Sequence, residues 1–291
     1  MRALFVSRNL LGDGLWIGPA IAAWSAVHPE VTEKVILTND DYIKVIYSRM
    51  GISDVRVTTD GAEERQEWDF RYDMNPSVAM GISEVHKCHI AEAYAEMLGV
   101  ELAGGRDALC PTFYCTPEDE AGVQDVPMGA LAIAPFSRSC ASLVGLPANK
   151  MLPWPVWQRL LTMLRAYEVP VVVLGGAKDR ATELGMFEQE YICGWPLPRL
   201  AYAMATRMRG VIGVDNGVMH LAASQRLPEL LFYPACLGQH WIVPWGNPNL
   251  MIVHLDPVKV AVDQLFMIVR KALPRLFEKR AEWFGEADNG R

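Results

Sequence analysis

The 291-residue sequence has no apolar run of the ~18–20 residues that a membrane-spanning helix needs. It has no Cys-x-x-Cys pair either. Its six cysteines (Cys88, Cys110, Cys115, Cys140, Cys193 and Cys236) are scattered, which excludes a disulfide-stapled secreted scaffold and reads as reduced thiols in a cytoplasm. Cys88 lies in His86-Lys87-Cys88-His89, yet four-coordinate zinc needs a second ligand pair at a usable spacing and none follows. No metal site is therefore expected, and residues 86–98 read as helix with Gly99 as its C-cap. Basic excess is missing as well: 27 Lys and Arg face 34 Asp and Glu, for a net charge of −7. That balance argues against charge-driven coating of nucleic acid but leaves room for a local anion pocket. There is no short repeat and no low-complexity tract.

What is present is ordinary globular material, 51% apolar and 21% charged. At roughly 150 residues per domain the length suggests two domains. The N-terminus loosely imitates a signal peptide, but Asp13 between Gly12 and Gly14 interrupts the apolar stretch and favours a strand–loop–helix. Short apolar strands then alternate with helices, the pattern of a parallel sheet covered on both faces. Strands are expected at 3–7, 34–38, 54–59 and 67–74, with helices at about 15–27 and 42–50. Residues 116–129 are acidic, contain Pro and Gly, and read as a linker. The alternation restarts with strand 131–136. Pro155 opens a helix whose Trp157, Leu160, Leu161 and Leu164 make one face. A strand at 169–174 ends in Gly175-Gly176, helices follow at about 180–190 and 197–208, and short strands lie at 230–233 and 251–254. A final helix starts near Pro257, its apolar face including Val258, Val262, Leu265, Val269 and Leu273. Its basic tail (Lys271, Arg275, Lys279, Arg280) suits contact with a membrane surface. The expected fold class is α/β, with two Rossmann-like domains, 1–125 and 126–291, facing across a cleft.

The segment 210–224, GVIGVDNGVMHLAAS, carries the most chemistry. A strand runs into a tight polar turn and a helix begins at once, so free amides and the helix dipole point at the turn. Gly217 allows close approach to the backbone, and His220 adds a donor. The arrangement suits a diphosphate, and equally an ordinary turn capped by Asp215 or Asn216. Trp154 and Trp157 suit either a base stack or the core, and Trp241 and Trp245 either a sugar stack or a pinned loop.

DNGVMHLAAS resembles the Asp-x-Gly-x-x-His-Leu-Ala motif of the heptosyltransferase family, glycosyltransferase family 9. Leu11-Gly12-Asp13 with Pro19-Ala20-Ile21 resembles its N-terminal signature, KMLPWPVW (150–157) its Lys-x-Trp-Pro…Trp stretch, and VPVVVLGGAKDR (169–180) its Gly-rich loop. The four occur in the family's order. The resemblance implies a two-lobed GT-B fold whose C-terminal helix crosses back to the first lobe. It implies inverting transfer of a sugar from a nucleoside-diphosphate donor to an acceptor hydroxyl on a glycan or other molecule, with no metal and no other cofactor. Asp13 would be the general base, its rival role being N-cap of the first helix. Ser137, Arg138, Lys150, Asp215, Asn216, Gly217 and His220 would hold the diphosphate, and Gly175, Gly176, Lys178 and Asp179 the nucleoside. Arg8 would meet an acceptor or remain solvated. Two departures stand out: the stretch between Ser137 and Lys150 is long, and Lys178 stands where the family often has a ribose-binding glutamate, so the nucleobase is not specified. An epimerase or hydrolase on the same fold, or a non-catalytic nucleotide binder, would share the cradle. A nicotinamide dehydrogenase is disfavoured because Gly-x-Gly-x-x-Gly is absent from the first strand–helix turn.

Overall fold

The computed structural model describes residues 1–8, 11–52, 54–105, 109–137, 152–176, 191–234, 243, 246–255 and 262–285, with the side chains of 191, 193, 234, 262 and 278–285 set aside. Its contacts divide the chain into two compact units, Met1–Cys115 with Gln239–Asn247, and Thr116–Gly238 with Pro248–Arg291. The acidic stretch after Cys115 thus counts with the second unit, where it forms two short 3-10 turns, Pro117–Glu120 and Val123–Asp125.

The first unit is built on a parallel sheet of β1 (Arg2–Ser7), β2 (Glu33–Thr38), β3 (Val55–Thr58) and β4 (Phe70–Asp73), in the order β3-β2-β1-β4. Alternation places Leu4, Val6, Val35 and Leu37 together with Trp68 in one cluster. Phe5 packs edge-on against Trp24 of α1 (Leu11–Val27), with ring centroids 5.1 Å apart. Helix α1 is apolar around its circumference, and Leu15, Trp16, Ile17, Ala20, Ile21 and Trp24 are all buried, as an all-round apolar helix must be. At Gly18 the helix lies close to the end of the Met50 side chain that follows α2 (Asp41–Ser48), which would have to move aside for a Cβ. The unit continues with α3 (Pro76–His86) and α4 (Ile90–Met97).

Two readings of this half need correction. Helix α1 begins at Leu11, not near Leu15, so Asp13 lies inside its first turn and is not its N-cap. The helix expected over 86–98 is two helices. Lys87 turns left-handed (φ 56°) and ends α3, and His89 caps α4 with Glu92 in a reciprocal capping box. His86-Lys87-Cys88-His89 is therefore a connection between helices. Gly99, at φ +69°, does close α4 as anticipated.

The second unit has a six-stranded parallel sheet: β5 (Ala130–Ala134), β6 (Val171–Gly175), β7 (Tyr191–Cys193), β8 (Met208–Val214), β9 (Glu229–Pro234) and β10 (Leu250–Leu255). Their order is β10-β9-β8-β5-β6-β7. The helices are α5 (Trp154–Arg165), α6 (Leu197–Thr206), α7 (Gly217–Ser224) and α8 (Val262–Gly285). Leu160, Leu161 and Leu164 of α5 and Leu265, Val269, Leu273 and Leu276 of α8 share one core with Ile133, Val173, Ile212 and Phe232. These α8 side chains pack on their own unit's sheet. Lys271 and Arg275 are exposed on it. β7, three residues long, is too short to show any periodicity and escaped the sequence reading. Val258, Trp241 and Trp245 lie outside the described residues. Among the described residues no helix is long and apolar enough to cross a membrane.

Candidate active site

In each unit the chain order produces a reversal of winding. In the second, β5 runs to β6 and β7 on one side, then the chain crosses to β8, β9 and β10 on the other. The reversal lies between β5 and β8, and loops leaving the carboxyl ends of such a pair diverge and open a crevice. Ser137 follows β5, and Asp215 to Gly217 follow β8.

Hydrogen bonds tie these loops together. Ser137 Oγ donates to the Asp215 carbonyl at 3.0 Å. Asn216 caps α7 by accepting from Met219 N at 3.0 Å. Its Nδ2 donates to the carbonyls of Ala134 at 3.1 Å and Phe136 at 2.9 Å, so one side chain joins the helix start to the end of β5. The cap uses the third amide of the helix, leaving those of Gly217 and Val218 for other partners at a half-buried mouth. Gly217 has no positive φ; close approach of a ligand is what its missing Cβ permits. Beneath the mouth, Gly213 is forced: a Cβ there would sit 2.5 Å from Met219 Sδ and 2.9 Å from the Ala134 carbonyl oxygen. Gly175 ends β6, which neighbours β5, and Gly176 follows it at the same carboxyl edge.

Asp215 and His220 lie deeper. Their side chains are 2% and 6% exposed, with Asp215 Oδ1 3.5 Å from His220 Nε2. The acidic side chain orients the imidazole beneath the turn. Trp157 is a core residue, its ring 6.1 Å from that of Phe232. Arg138, Lys150, Lys178 and Asp179 lie outside the described residues.

The first unit repeats the geometry. β1 runs to β2 and β3 on one side, and β4 lies on the other, so its reversal is between β1 and β4. Asp13 stands in the first turn of the helix that follows β1, half-buried, where the dipole favours a carboxylate. Below it, Tyr47 of α2 hydrogen-bonds Ser7 at the end of β1. Arg8 is exposed and pairs with Glu64, which also meets Arg71 at 3.3 Å. Ser7, Tyr47 and Asn216 as a stitch were missed in the sequence. Tyr47 sits four residues after Ile43, on the apolar face of α2, and only its buried hydroxyl distinguishes it from a core residue. Among the described residues no three His, Cys, Asp or Glu come together as a metal site.

The model of glycosyltransferase family 9 (heptosyltransferase) matches residues 131–259, a span that includes β5, β8, α7 and the tied loops between them. Most of the matched span lies in the second unit. The fold of the whole chain is shared with solved family 9 structures. A glycosyl transferase family 9 structure from Veillonella parvula superposes with a TM-score of 0.70 at 14% identity, covering 96% of this chain and 97% of that one. The E. coli ADP-heptose lipopolysaccharide heptosyltransferase II gives 0.68 at 14% identity, covering 97% and 100%. E. coli heptosyltransferase WaaC with ADP gives 0.59 at 16%, covering 95% and 99%. At such identities the likeness establishes the fold alone, GT-B, built from two α/β units. No curated protein matches the chain.

Proposed function

We propose that this protein is an inverting, heptosyltransferase-like glycosyltransferase that uses a nucleoside-diphosphate sugar as donor. The observation that carries the reading is the tied crevice at the β5/β8 reversal, inside the segment that matches the family. There Ser137 and Asn216 hold the α7 amides of Gly217 and Val218 in a fixed position for a diphosphate. Preorganised donors of this kind stabilise charge as it develops on a leaving group. Gly175 and Gly176 border the nucleoside, and Arg138, Lys150, Lys178 and Asp179 supply the remaining donor contacts.

In the proposed reaction the acceptor oxygen attacks the anomeric carbon on the face opposite the diphosphate. The new carbon–oxygen bond forms as the bond to the phosphate oxygen breaks, and that electron pair leaves with the diphosphate. The acceptor proton passes to the Asp13 carboxylate, and the anomeric configuration inverts. The work assigned to the α7 amides is what a metal would otherwise do, so the reaction is proposed to need neither a metal nor a further cofactor. One similar structure is described as the iron-containing glycosyltransferase TibC, which makes metal dependence a point to test directly. The scattered cysteines support a cytoplasmic site of action, and the acceptor is proposed to be a glycan or another hydroxyl-bearing molecule.

Because a solved TibC complex holds ADP-D-β-D-heptose, that sugar nucleotide is the first donor to try, beside UDP-, GDP- and CDP-sugars. A ligand bound only by the folded state raises the melting temperature. A rise with one member of the panel supports the donor site, and silence with all of them refutes it. Free sugar or an epimer appearing from the donor alone would favour a hydrolase or epimerase on this fold.

A further inference from the structure

We propose that Trp195 is the stacking platform for the base of the donor nucleotide, with Arg199 holding its ring in place. The inference rests on the nucleoside-diphosphate reading and adds the side chain that meets the base. Gly194, left-handed at φ +63°, turns the chain out of β7, and its amide donates to the Gly175 carbonyl at 3.1 Å. The ends of β6 and β7 are thereby tied at the carboxyl edge, and Trp195 follows at once. Its indole is half-buried. The guanidinium of Arg199, in the first turn of α6, lies over that indole with Cζ 3.7 Å from the ring centroid. Such a distance is well inside the ~6 Å range of a cation–π contact. Arg199 is itself held. It donates to the Gly122 carbonyl, and its Nη2 lies 4.0 Å from Asp125 Oδ2. A ring already fixed in this way loses little freedom when a second flat group settles on it.

Strand order puts the platform at the right remove from the diphosphate. β5, β6 and β7 are successive neighbours. The tied crevice lies at the end of β5, Gly175 ends β6, and Trp195 comes two residues after β7. At ~4.8 Å per strand, the loop of Trp195 stands roughly 10 Å from the end of β5. A ribose and its phosphate span such a gap, so the base falls beside β7. The tryptophans of α5 are engaged elsewhere. Trp157 is buried in the core, and Trp154 packs against that core. Stacking uses the flat face that every base has, so the platform holds a purine or a pyrimidine without reading its edge.

The test is titration calorimetry on the full-length chain with ADP, UDP and inorganic pyrophosphate. Trp195→Ala should weaken whichever nucleotide the wild type binds by about 10–100-fold, the effect of losing one base–aromatic stack. Pyrophosphate, which has no base, should bind the variant as it binds the wild type. Trp195→Phe, which keeps a ring against Arg199, should recover most of the nucleotide affinity. Undiminished nucleotide binding by a folded Trp195→Ala overturns the inference, and so does an equal loss for nucleotide and pyrophosphate. If Trp195→Ala does not fold, Trp195→Phe decides by fluorescence. A base stacked on Trp195 quenches its emission, so the bound nucleotide should quench Trp195→Phe less than the wild type, and an undiminished quench overturns the inference. The two readings fail differently. A wild type that binds no nucleotide sinks the donor reading and the platform with it, whereas nucleotide binding indifferent to Trp195 sinks the platform alone.

Discussion

Asn216 does three jobs with one side chain, and each can be removed in turn. Asn216→Ala loses the cap to Met219 N, for about 1 kcal/mol. It also loses two donations to the Ala134 and Phe136 carbonyls, at about 1 kcal/mol each in this partly buried setting. The sum is about 3 kcal/mol, and at ~2–4 °C per kcal/mol for a unit of this size the transition should fall by about 6–12 °C. Asn216→Ser keeps an oxygen that caps equally well but cannot span to β5, so it should lose only about 2 kcal/mol. Calorimetry on the full chain is the assay, read on the transition that a bound donor shifts, because two units need not melt together. The difference between Ala and Ser isolates the cap, and the difference between Ser and wild type isolates the stitch. A serine variant as stable as wild type would show that the ties to β5 contribute nothing, and the account of a preorganised crevice would fall with them.

Asp13→Ala should lower turnover by about 10²–10⁴-fold while donor binding, read by thermal shift, persists; full turnover would remove it from the chemistry. Exhaustive chelation should leave turnover unchanged, and recovery of a lost activity by added iron or magnesium would contradict metal independence. Gly213→Ala should cost about 1–3 kcal/mol, because the new Cβ meets a backbone carbonyl that cannot move aside; an unchanged denaturation midpoint would refute the packing argument. The Cys88 thiol is pushed up by burial and then by Glu92 and Glu96. It should therefore hold less thiolate near neutrality than a free cysteine and be alkylated more slowly, with the rate still climbing at pH values where a free thiol has levelled off; mass spectrometry of the labelled peptide follows this.

Legibility varied with the range of the interaction involved. Strands of Val, Ile and Leu between Gly and Pro announce themselves, and so does the start of α5 at Pro155. The strand–turn–helix of 210–224 was readable because its turn, cap and helix are neighbours in the chain. The split between α3 and α4 was not, since it depends on a left-handed Lys87 and on His89 as a cap, neither a residue type that usually marks such a break. The start of α1 was misplaced because Gly12 and Gly14 weaken the local signal for helix, while the burial of Leu15, Trp16, Ile17, Ala20, Ile21 and Trp24 stabilises the helix anyway.

By itself the sequence determined the α/β alternation, the restart after the acidic stretch and the diphosphate-like turn, all consequences of local periodicity and turn chemistry. Only the tertiary structure decided that β5 lies between β6 and β8, which joins Ser137 to Asp215 and Asn216 to the end of β5. It alone brought Tyr47 of α2 against Ser7 at the end of β1. Strand order and helix packing are settled by contacts between residues far apart in the chain, and no local preference encodes them.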